Sequence, residues 1–232
     1  MRWRVMSVGI RNFCPGAAPP ASLSREIITP WRRWALLIKA GKQLLPPKGW
    51  KPKSFAEAGY NFARGYAAAM QGDGKAKKYI EKLVALREKG FDENHFSRSE
   101  SLEVWELEIK AVVKLYQKDY EVAIQLAKQA TLLEEKLPSP SGPPRILKPT
   151  YELLGEVYLK AGKPKKAKEQ FTISLGRHSN RLRSLIGFAR SAKLSGDKIT
   201  AKENYAQILS ILKNADQNLP ELKEAKAFVK NF

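Results

Sequence analysis

Few residues in this 232-residue chain are of types that do chemistry, and their spacing gathers none of them into a reacting centre. The two histidines, His95 and His178, stand singly in turn-like stretches, with no Cys, His or Asp at metal-ligand spacing. Cys14 is the single cysteine. It therefore forms no internal disulfide or Cys-based cluster, and a chain with so few thiols is compatible with a reducing compartment. No basic side chain or helix start can be placed beside Cys14 to activate it. Gly72-Asp73-Gly74 lacks the Gly-Lys-Ser/Thr that a phosphate loop needs, and reads as a turn. Glu134-Glu135 reads as ordinary helix-surface charge. The expectation is a protein that is not an enzyme, with no catalytic residue, no metal and no cofactor.

What remains is charge. Lys and Arg number 42 against 23 Asp and Glu, a net charge of +19. Eleven of the basic residues and a single acid, Glu26, lie in residues 1–53, so the excess is concentrated in the N-terminal quarter. A field of this sign favours acidic partners: nucleic acid, anionic lipid or acidic protein. In the remainder it also suits a solvated, Lys-rich helical surface. No apolar run approaches the ~18 residues of a membrane helix; residues 35–38 are stopped by Lys39. Residues 1–25 are basic and free of acids, as in an organelle transit peptide. Pro15, Pro19 and Pro20 break any long amphipathic helix there. The expected compartment is cytoplasmic, with organelle targeting through this segment as the alternative.

The elements that must position these charges are helical. Residues 1–53 read as a basic extension, partly disordered or carrying one helix over about 23–45 that Pro46-Pro47 ends. Regular patterning starts at Ser54-Phe55-Ala56-Glu57, a capping box. It continues as helical hairpins at about 54–89, 97–137, 148–177 and 181–212, and a closing helix at about 220–230 that Pro220 starts. Apolar stripes mark their faces: Tyr79, Ile80, Leu83 and Leu86 in the first hairpin, Trp105, Ile109, Val112 and Tyr116 in the second. Residues 137–144, with four prolines, exclude helix and read as an extended connector between hairpins.

Two of the hairpins repeat. Tyr151, Leu154, Gly155, Gly162, Ala167 and Phe171 align with Leu185, Phe188, Ala189, Gly196, Ala201 and Tyr205 at a constant offset of 34 residues. In the second hairpin Lys118 stands where the repeat has glycine. In the first, Lys77 stands where it has alanine.

The run Tyr151, Leu154, Gly155, Tyr158, Ala167, Phe171 resembles the tetratricopeptide consensus. Departures are Ser174 for the usual alanine, Ser179 for the closing proline, and Ala192 at the place of Tyr158. The resemblance is strong over about 148–212 and weaker back to Ser54. It implies an all-α fold: a right-handed α-α superhelix of about four hairpins plus a C-terminal capping helix. The chain also resembles the end of longer uncharacterised bacterial tetratricopeptide proteins. Phe62-Ala63-Arg64-Gly65, Gly72-Asp73, Leu132-Leu133-Glu134, Gly142-Pro143 and Asn180-Arg181 carry that likeness.

In such repeats the first helix of each hairpin lines a concave groove. The resemblance therefore assigns partner binding to Glu152, Glu156 and Lys160 in the third hairpin, and to Arg183, Ile186, Arg190 and Lys193 in the fourth. A basic strip beside an acidic one suits a mixed-charge or acidic peptide. The carboxylate clamp of chaperone-binding members is not expected, since Glu152 and Glu156 stand where it has Lys and Asn. The resemblance thus implies a scaffold for a protein or peptide partner. Two alternatives stand beside it: a basic nucleic-acid-associated repeat protein, and the C-terminal module of a larger enzyme or regulator.

Overall fold

The computed structural model describes residues 54–89, 96–138 and 146–231. The expectations for residues 1–53, for Cys14 and His95, and for most of the proline-rich connector fall outside this range. Among the described residues every regular element is a helix: α1 (Ser54–Met70), α2 (Ala76–Glu88), α3 (Phe96–Tyr116), α4 (Tyr120–Lys136), α5 (Thr150–Lys160), α6 (Pro164–Arg177), α7 (Leu182–Leu194), α8 (Lys198–Ile211) and α9 (Pro220–Lys230). They pair as α1–α2, α3–α4, α5–α6 and α7–α8, with α9 packed on α8.

One turn joins each pair. The first helix ends in a residue with left-handed backbone: Gly72 (φ 66°), Lys118 (φ 62°), Gly162 (φ 70°) and Gly196 (φ 83°). The following N–H reaches back five residues in every case, Asp73 to Ala68, Asp119 to Lys114, Lys163 to Tyr158 and Asp197 to Ala192, at 2.9–3.0 Å. This helix-ending motif satisfies carbonyls that the helix leaves orphaned, and glycine enters its left-handed position without strain. Lys118 adopts the same conformation at a cost that glycine avoids.

These four residues give the hairpins a common register. Five positions after the left-handed residue stand Ala123, Ala167 and Ala201, each fully buried. In the first hairpin the buried alanine is Ala76, one position earlier, and α2 starts four residues after its left-handed residue rather than two. The slip explains why Lys77 occupies the expected alanine place without being buried.

Within and between hairpins, a large ring sits against missing side chains. Phe171 of α6 is fully buried. A Cβ on Gly155 of α5 would lie 2.8 Å from its Cζ, and one on Gly187 of α7 only 2.2 Å away. Both neighbouring helices therefore press bare backbone onto one phenylalanine. In the first two hairpins Phe62 stacks on Trp105 with centroids 5.2 Å apart. Leu222 and Ala225 of α9 are buried, while Phe228 and Val229 are half-buried, so the closing helix covers the end with the face expected of it. Of the expected stripes, Leu83, Trp105, Ile109 and Val112 are buried. Tyr79, Ile80 and Leu86 are half-buried and Tyr116 is 48% exposed.

Candidate functional site: a cavity shared by the first helices

A cavity of about 420 Å³ is lined by α1, α3, α5, α7 and α9, with Phe171 of α6 beneath them. Its walls follow the register of the turns. Tyr66, Val112, Glu156 and Arg190, six residues before each left-handed residue, all line it. So do Met70, Tyr116, Lys160 and Leu194, two residues before. Glu224 of α9 continues the first row, 34 residues beyond Arg190. The helix that closes the array thus stands where the first helix of a further hairpin would stand. The floor is apolar, with Leu153, Ile186 and the Phe171 ring.

Six of the seven residues expected to bind a partner line this cavity: Glu156, Lys160, Arg183, Ile186, Arg190 and Lys193. Glu152 does not. It is fully buried, which corrects its expected place on the groove surface. Its oxygens accept from Lys148 Nζ at 2.8 Å, from Arg181 Nε at 2.6 Å and Nη2 at 3.1 Å, and from Ser184 Oγ at 2.8 Å. Burial pushes this carboxyl up, but Lys148, Arg181 and Arg183 outweigh it and hold Glu152 far below the usual carboxylate range. A buried carboxylate with three cations around it is a structural tie between α5 and α7.

The basic strip is also partly spent. Arg183 is buried and donates to Glu156 at 2.6 Å. Glu156 accepts from Lys148 as well, at 2.8 Å. Arg190 grips Glu224 with Nη2 at 2.5 Å and Nε at 3.0 Å. Burial pushes the Glu224 carboxyl up, but the bonds from Arg190 and Tyr205 bring it below its ordinary value. Burial, and then donation of its hydroxyl to Glu224 at 2.7 Å, raise the Tyr205 phenol. The exposed cations at the rim are Lys160 and Lys193, the latter 5.5 Å above the Phe228 ring.

The site takes in residues that the repeat consensus does not assign to it. Tyr66, Val112 and the α9 acids join it because the turn register, Lys118 included, carries the pattern into hairpins where the consensus is weak. Glu134 and Glu135 are more than surface charge. Glu134 accepts from the Thr150 hydroxyl and, at 2.9 Å, from the Thr150 backbone N–H, capping α5 from the previous hairpin. Glu135 accepts from Tyr151 and Arg177.

Glu108 of α3 is fully buried, and neither of its carboxyl oxygens has a hydrogen-bond partner among the described residues. Burial pushes it well above its ordinary value, and Glu134, Glu152 and Glu156 push it further against the pull of Lys148. His178 is exposed at the end of α6. Among the described residues no group of three or more His, Cys, Asp or Glu could hold a metal ion, and no helix is long and apolar enough to cross a membrane. No family model, curated protein or solved structure matches the chain.

Proposed function

We propose that this chain is a tetratricopeptide-like scaffold that holds a protein or peptide segment in the cavity formed by its first helices, which is then the concave groove of a superhelix. The supporting observation is the cavity's construction: equivalent positions of four successive hairpins face one space. That is how a solenoid builds an extended binding surface. The apolar floor of Leu153 and Ile186 suits one apolar anchor of the partner. The exposed Lys160 and Lys193 suit acidic residues flanking it.

Selection of peptides from a random displayed library on the full chain tests this reading. Enriched peptides are expected to combine apolar and acidic residues. Lys160→Glu/Lys193→Glu should weaken them about tenfold by fluorescence anisotropy, as loss of two charge contacts at a partly desolvated rim predicts. Lys136→Glu, on an exposed residue that does not line the cavity, should leave them unchanged. Peptides that bind the Lys160/Lys193 variant as well as the parent would place recognition elsewhere.

A further inference from the structure

The ends of α1, α3, α5 and α7 meet round the cavity, so the turns that follow them share one edge of the molecule. Neighbouring turns touch: Lys163 pairs with Glu121 at 2.6 Å, and Lys168 with Asp197 at 2.6 Å. A second depression, of about 350 Å³, is lined by Lys163, Pro164, Lys165, Lys166, Leu194 and Ser195, joining the third turn to the fourth. Residues 161–168 and 193–202 hold seven lysines against one acid, Asp197.

Within this lysine field stand Leu194, 65% exposed, and Ile199, 68% exposed. They are the two most exposed large apolar side chains among the described residues. One exposed aliphatic residue is ordinary. Two on either side of one tight turn, ringed by lysine, are not. Nor does the repeat require them. The place of Ile199, three residues after the left-handed residue, is Lys75, Glu121 and Lys165 in the other hairpins. The fold is content with charge there.

We propose that this edge docks on an anionic lipid surface. Leu194 and Ile199 seat at the boundary between headgroups and acyl chains, while Lys165, Lys166, Lys193 and Lys198 face the phosphates. An apolar tip within a basic field matches the two forces that hold a protein on such a surface, apolar burial and attraction to anionic headgroups. Nucleic acid would use the lysines but leaves the aliphatic pair without a purpose. Bases are held by stacking on aromatic rings, and residues 161–168 and 193–202 contain none. Lys193 and Leu194 also line the groove, whereas Lys165, Lys166 and Ile199 do not, so the Lys165/Lys166 variant tests this edge apart from the peptide-binding reading.

The test is co-sedimentation of the full chain with phosphatidylcholine vesicles containing roughly 30% phosphatidylserine, whose negative surface potential attracts lysines, against pure phosphatidylcholine. The parent should bind the anionic vesicles and lose most of that binding in high salt. Leu194→Ser/Ile199→Ser should lower the partition coefficient about tenfold or more, as loss of two inserted aliphatic groups predicts. Lys165→Glu/Lys166→Glu should lower it by a similar factor. All four positions are exposed, and unchanged circular dichroism and melting would show both variants folded. The variants keep the basic residues 1–53, so their difference from the parent reports the edge alone. Absence of vesicle binding, or binding that the serine pair leaves intact, overturns the proposal. So does tighter binding to a single-stranded RNA that the glutamate pair abolishes and the serine pair does not touch.

Discussion

Glu108 and Glu152 occupy the same place on successive first helices, each ten residues before its left-handed turn residue, and both are fully buried. Of the two, Glu108 has carboxyl oxygens with no hydrogen-bond partner among the described residues, while Glu152 is ion-paired to Lys148, Arg181 and Arg183. Its partners Arg181 and Ser184 come from the following hairpin. The residues 34 earlier, which stand in the same relation to Glu108, are Leu147 and Thr150. Leucine offers no charge, and the Thr150 hydroxyl is already given to Glu134.

Because burial first, and then its acidic neighbours, raise Glu108, the folded protein keeps a proton there that the unfolded chain releases. The resulting stability is fully present below the unfolded carboxyl value of about 4.3 and is lost as pH rises through the raised folded value. Glu108→Gln, which stays neutral, should therefore stabilise the protein by about 1–3 kcal/mol at pH 8 and by less at pH 5. Urea melts at the two pH values measure this; a variant weaker than the parent at pH 8 would mean that Glu108 is paired when folded.

Glu152 behaves oppositely. Its lowered carboxyl contributes stability that is present above the unfolded value of about 4.3 and is lost as pH falls toward its folded value. Glu152→Gln leaves Lys148, Arg181 and Arg183 with an uncompensated excess of positive charge in a closed space. The expected loss is about 3–5 kcal/mol at pH 7, narrowing under acid. Thermal melts between pH 3 and 7 would read a roughly constant gap if the carboxylate charge were immaterial.

Lys118 adopts the left-handed backbone that Gly72, Gly162 and Gly196 adopt in the other turns. Lys118→Gly should gain about 0.5–1 kcal/mol, the relief of left-handed strain less the greater freedom of glycine in the unfolded chain. Gly162→Ala should lose about 1 kcal/mol by the same strain. Denaturant midpoints that move the other way would show that these turns do not share one geometry.

Gly187 and Phe171 leave no room for a methyl group, with the added Cβ 2.2 Å from the ring. Gly187→Ala should cost about 2–3 kcal/mol through forced displacement of the α6–α7 contact. Adding Phe171→Leu should recover part of that loss, so the double variant should be more stable than the sum of the singles. Strict additivity would mean that the ring yields freely.

The boundaries of the hairpins were legible because periodicity and turn chemistry are local. Apolar residues at helical spacing, Pro220 at a helix start, and Gly72, Gly162 and Gly196 at the turns identify most of the elements. The cavity was half-legible. Spacing put Arg183, Ile186, Arg190 and Lys193 on one face, and the structure gathers them round one space. Spacing could not show that Arg190 is held by Glu224, because that acid lies 34 residues away on another helix.

For the described residues the sequence by itself determined the helices, their turns and most of the apolar positions they bury, since each of these depends on residues a few positions apart. The tertiary structure alone decided which charges remain exposed to meet a partner. Glu152 and Arg183 are buried, and Arg190 is engaged, because neighbouring first helices bring opposite charges together out of water. Lys160 and Lys193 remain exposed at the rim. A charge in the sequence has no assigned environment; its burial, and with it its energy and use, is set by what the adjacent hairpin places within a few ångströms.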